Sequence, residues 1–132
     1  MIKKILLLTA LTLLPSFAVT ALTNEQVRQL LTGLWGITTV IEGINTYSTT
    51  EFKNDGTVIF NLTLSASDGA YKYKSHGKWT VEDKTVLMEV TFSDSPDYLH
   101  VGDKLKYHII KINDKTLEYT DDHGAKVTQQ RM

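Results

Sequence analysis

From Gly33 onward apolar and polar residues alternate with a period of two, and turn-forming residues break the alternation at nearly regular intervals. That pattern predicts short strands in a meandering sheet. Eight segments read as strands: 34–42, 45–53, 57–66, 71–81, 85–92, 104–112, 116–120 and 125–131. Val58, Phe60, Leu62 and Leu64 share one face of the third, opposite Thr57, Asn61, Thr63 and Ser65. In the fourth, Tyr71, Tyr73, Trp79 and Val81 oppose Lys72, Lys74, His76, Lys78 and Glu82, so these lysines read as a solvated face. Val86, Met88, Val90 and Phe92 continue the inward pattern in the fifth. In the sixth the apolar phase slips from Leu105, Tyr107 and Ile109 to Ile110 and Ile112, which predicts a bulge.

The connectors carry turn chemistry. Asn54-Asp55-Gly56, Ser67-Asp68-Gly69 and Asp121-Asp122-His123-Gly124 supply residues that tolerate positive φ, and Glu82-Asp83-Lys84 and Asn113-Asp114-Lys115 are weaker turns of the same kind. Only the connector over 93–103 is long, and it holds Pro96, Tyr98, Leu99 and His100. Before the first strand the period is helical instead. Thr23 followed by Gln26 forms a capping-box pattern, Val27, Leu30 and Leu31 fall on one face, and Gly33 acts as the stop. A helix this short is stable only when packed.

The residues ahead of that helix change the picture again. Met1-Ile2-Lys3-Lys4 sets two positive charges before an apolar run over 5–14, which Pro15 and Ser16 end. This is the charged, apolar, polar order of a secretory signal peptide. A bilayer span needs about 20 apolar residues, so the run is short for a retained anchor. The small residues of Val19-Thr20-Ala21 place cleavage after Ala21, with Ser16-Phe17-Ala18 offering a second position. The expected division is a signal peptide over 1–21 and one domain over 22–132, exported to the periplasm or secreted. Loss of Lys3 and Lys4 leaves 12 of the 14 Lys and Arg against 15 Asp and Glu, which moves the net charge from −1 to −3. A mildly acidic domain lacks the clustered cations that nucleic-acid binding needs. The chain has no cysteine, which excludes disulfides, thiolate metal ligands, a cysteine nucleophile and a lipid-modified cysteine.

Short hairpins with one apolar face must close on themselves or pack as a sandwich, and closure removes the exposed edges. The predicted fold is therefore all-β, an eight-stranded antiparallel up-and-down barrel preceded by a short helix. With this architecture in view, Gly33-Leu34-Trp35 matches the Gly-x-Trp that opens the first strand of calycins after a short helix. Phe52-Lys53-Asn54-Asp55-Gly56-Thr57, Gly77-Lys78-Trp79 and the terminal Arg131 add to the match. The chain resembles the lipocalin-like members of the calycin superfamily in their compact bacterial form, over nearly all of 22–132. That resemblance implies that Arg131 packs over the Trp35 indole and seals one end, and that the barrel takes a small molecule. This chain is shorter than ordinary lipocalins and lacks their cysteines, so its cavity is expected to be smaller.

An eight-stranded barrel is just wide enough to fill with side chains or to hold one small ligand. With Phe52 inward, Thr46, Ser48 and Thr50 share its face, and Ser75 lies inward between Tyr73 and Gly77. These groups, with Tyr71 and Tyr107, form a candidate ligand-binding wall, and Tyr98 and His100 of the long connector form a candidate lid. A satisfied internal hydrogen-bond network explains the same small polar residues equally well. His76, His100, His108 and His123 lack metal-ligand spacing and read as surface residues, so no metal or cofactor is expected. Asn61-Leu62-Thr63 forms a glycosylation triplet but sits mid-strand, where it reads as unmodified. No nucleophile elbow, phosphate loop or opposed acid pair is present, and Glu51, Glu82, Glu89 and Glu118 read as outward charges. The expectation is a monomeric, non-enzymatic binder of a small, largely apolar molecule. The alternative is a protein-interaction or inhibitor module that acts through its rim loops around a filled core.

Overall fold

The computed structural model of the chain describes residues 21–95 and 97–132. Residues 1–20 of the expected signal peptide, with the second cleavage position after Ala18, lie outside these residues, as does Pro96. Helix α1 (Asn24–Leu31) starts where the capping box places it: the Gln26 N–H donates to Thr23 Oγ1 at 3.1 Å and the Thr23 N–H donates to Gln26 Oε1 at 2.9 Å. These bonds satisfy two N–H groups that have no partner within the helix. Thr32 caps the other end, and Gly33 enters the first strand at φ 135°, a conformation that side-chain-bearing residues avoid.

Eight antiparallel strands follow: β1 (Gly33–Ile41), β2 (Ile44–Phe52), β3 (Thr57–Ala66), β4 (Gly69–Glu82), β5 (Thr85–Ser93), β6 (Lys104–Ile112), β7 (Thr116–Thr120) and β8 (Lys126–Arg131). Each pairs with its sequence neighbour, and β8 returns to β1 through Trp35 opposite Arg131 and Gly36 opposite Gln130, which closes the barrel. The predicted meander barrel is what the chain forms.

One end of the barrel is plugged. Val27 and Leu31 of α1 are fully buried against Trp35, Phe52, Val58 and Trp79, and the Phe52 ring meets Trp79 edge-on at 5.1 Å. Both indoles carry an arginine on one face: the Arg131 guanidinium lies 4.3 Å from the Trp35 ring centre, as the resemblance implied, and Arg28 lies 4.5 Å from that of Trp79. Each such contact contributes about 0.5–2 kcal/mol. Both indole N–H groups donate to backbone carbonyls, Trp35 to Leu31 at 2.8 Å and Trp79 to Lys53 at 2.9 Å. Arg28 also donates to the Asn54 carbonyl at 3.0 Å, which pins the helix to the β2–β3 turn.

Two bulges set which residues face inward. The β6–β7 register shifts between Ile109 and Lys111, as the phase slip predicts; Ile112 is buried beyond it, while Ile110 sits on the outside, 42% exposed, rather than in the core. A second shift, in β4–β5 at His76 and Gly77, was not foreseen. It turns Phe92 out of the barrel, where it is 49% exposed and packs at 5.3 Å on His76. Gly77 fits this irregularity because a Cβ there would run into the backbone carbonyl of Glu89. His76 is accordingly half-buried rather than a surface residue, and its Nε2 has no hydrogen-bond partner among the described residues.

Candidate functional site

Above the plug the barrel interior opens into a cavity of about 430 Å³. Small-molecule sites typically span ~300–1,000 Å³. Strand register builds its wall from adjacent inward positions: Ile37 beside Ser48, Ser48 beside Leu62, Leu62 beside Tyr73, and Phe60 beside Ser75. The turns that end β1, β3, β5 and β7 surround the mouth, opposite α1. Asp121, Asp122 and Lys126 bring charge to this rim, and His123 lies beside them.

Two sets of polar groups on the wall are hydrogen-bonded within the protein. On one side the Ser75 hydroxyl donates to Ser93 Oγ at 3.1 Å, and Ser93 donates onward to the Ser95 carbonyl at 3.2 Å. This side is internally satisfied, as the network reading expects. On the other side Tyr107 and Tyr119 stack with ring centres 3.9 Å apart and planes 14° from parallel, and Gln129 Nε2 donates to the Tyr119 hydroxyl at 3.1 Å. Gln129 and Tyr119 are each 4% exposed.

Burial pushes the pKa of both phenols up. Tyr107 is pushed up to about 12 by burial, with the neighbouring Tyr119 hydroxyl opposing it. Tyr119 goes higher still, first by burial and then through its coupling to Tyr107. The unfolded chain ionises its tyrosines near pH ~10, so above that point it binds fewer protons than the folded barrel. The resulting stabilisation is full below about pH 10 and falls as pH rises toward the folded value, by about 1.4 kcal/mol per unit for each tyrosine. Urea midpoints measured from pH 9 to 12 should decline, and the decline should be shallower in Tyr107→Phe. An equally steep decline in Tyr107→Phe would count against the assignment.

Of the residues singled out in the sequence, Ser48, Thr50, Tyr73, Ser75, Tyr98 and Tyr107 line the cavity. Thr46 is buried but off the cavity wall, with its hydroxyl 3.4 Å from the Ile44 carbonyl. Tyr71 is 44% exposed and donates to Asp68 at 2.6 Å outside the cavity. His100 faces away: its N–H donates to Asp103 Oδ2 at 2.9 Å and its ring lies 3.6 Å from the same oxygen. The connector reaches the cavity through Tyr98 and Leu99 instead, with Leu99 buried. Tyr119 and Gln129 were missed. Strand β8 reads as polar, but the inward Arg131 fixes the parity that places Gln129 inside.

Among the described residues no group of three or more His, Asp or Glu is placed to hold a metal ion, and no helix is long and apolar enough to cross a membrane. A search among curated proteins finds no match to the chain. Residues 31–119 match the family model described as a lipocalin-like domain, from the last turn of α1 through most of β7. With that match over most of its length and a closed eight-stranded barrel behind it, the chain belongs to the lipocalin-like domain family.

Proposed function

We propose that this protein is an exported, monomeric carrier that takes a small, largely apolar molecule into the barrel through the end opposite α1. The cavity of about 430 Å³ carries this reading, because a barrel of this strand number is readily filled by its own side chains and this one is not. Ile37, Phe60, Leu62 and Leu105 supply apolar wall, while Ser48, Thr50, Tyr73, Ser75 and Tyr107 supply scattered polar contacts and Tyr98 a partial cover. Export rests on the charged, apolar, polar order of residues 1–21. The chemistry proposed is binding, with no catalytic step.

A second reading, a protein-binding module, draws on the exposed apolar rim: Val40 is 66%, Ile41 54%, Tyr98 54% and Val101 67% exposed. The open interior favours the carrier. Native mass spectrometry of protein purified from the periplasm tests it. Wild-type protein should begin at Leu22 and carry a small-molecule adduct, and Ser48→Trp, which sets an indole on the cavity wall, should lose the adduct while staying folded. A clean apo mass over several preparations of folded wild-type protein would sink the carrier reading.

A further inference from the structure

The floor of the cavity holds a polar group that the protein does not satisfy. Gln129 faces inward from β8, one inward position above Arg131, beside Leu117 in the register. Its amide N–H donates to the Tyr119 hydroxyl at 3.1 Å, which commits the amide nitrogen to that oxygen. With the nitrogen turned toward Tyr119, the carbonyl is the free end of the Gln129 side chain. Its carbonyl Oε1 is left buried with no hydrogen-bond partner among the described residues, on a residue that lines the cavity. A buried acceptor without a donor is unfavourable, and a ligand that supplies one recovers the loss.

We propose that the cavity selects an uncharged ligand bearing an O–H or N–H donor, which it seats on the Gln129 carbonyl. This rests on the carrier reading and specifies the ligand's chemical class. The surroundings support neutrality as well as the donor. The charged side chains on the wall, Lys106, Asp121, Asp122 and Lys126, lie on an outward position of β6 or at the mouth, and none of them accompanies Gln129 at the floor. A carboxylate placed there would set acceptor against acceptor in a site of low polarity.

The test uses a matched probe series on protein expressed from its full chain: 1-naphthol, 1-methoxynaphthalene and 1-naphthoate, titrated by calorimetry at pH 7. The naphthol should bind about 10-fold more tightly than the ether, which keeps an acceptor but has no donor, and more tightly than the anion by at least as much. In Gln129→Leu the naphthol and ether affinities should fall within about twofold of each other, with thermal melting confirming a folded barrel. Because the wild-type comparison stands alone, a variant that fails to fold does not remove the test. Equal affinity of naphthol and ether in the wild type, a preference for the ether, or a preference for naphthoate would overturn this proposal and leave the carrier reading intact. Failure of all three probes to bind would overturn it together with the open-cavity reading on which it rests.

Discussion

Trp35→Ala should lower the unfolding free energy by about 3–5 kcal/mol, the range for deleting a large buried aromatic side chain. Trp35 is fully buried and packs among the side chains of α1 and the lower strands. It is also the point where β1 meets β8. Its loss leaves a void that the surrounding strands fill only in part, and it strips the Leu31 carbonyl of the indole N–H. A small domain has only about 5–15 kcal/mol of total stability, so the variant should be marginal at room temperature. Urea unfolding with an unchanged slope would register the loss cleanly. Trp35→Phe should fall between, since it keeps a ring but not the donor. A loss below about 1 kcal/mol for the alanine variant would mean that the barrel does not close around this residue.

Arg131→Ala follows, with an expected loss of about 2–4 kcal/mol and no change in ligand affinity. The guanidinium does more than cover the indole. It donates to the Thr32 carbonyl at 3.0 Å and to the Asp114 carbonyl at 2.7 Å, and it also donates to the Leu30 carbonyl. Leu30 and Thr32 lie at the helix C-terminus, where carbonyls lack partners within the helix and a positive charge is favourable. One side chain thus joins α1, the β6–β7 turn and the β1–β8 seam. Lysine keeps the charge but not the planar fork, so Arg131→Lys should recover less than half of the loss. Combining Arg131→Ala with Trp35→Ala should show a coupling of about 1 kcal/mol, because the two side chains touch. Strict additivity would contradict the stacked geometry.

Much of this barrel could be read from residue order. The capping box at Thr23 and Gln26, the inward series from Val58 to Leu64, the bulge near Ile109 and the meeting of Trp35 with Arg131 all leave marks in period or motif. The failures share a cause. The bulge at Gly77 inserts a residue into β5 without altering the apolar alternation of Val86, Met88 and Val90, so parity wrongly carries Phe92 inward. Parity also says nothing about position along the barrel axis, which is why Thr46 and Tyr71 separate from the cavity while Tyr73 joins it; Tyr98 and His100 lie in the connector, where no period assigns a side. Gln129 went unnoticed because a polar residue flanked by polar neighbours gives no hydrophobic signal. Only the closed topology assigns it a side.

The two arginine-capped tryptophans sit at the same end of the barrel, and among the described residues no other cation–π pair braces the opposite end. Folding and recognition are thereby given separate territories: the anchored pole holds the chain in shape, while the turns at the far pole remain free to diverge. Under the proposed carrier function, substitutions around Val40, Tyr98 and His123 should alter what the barrel captures and leave its unfolding free energy within about 0.5 kcal/mol.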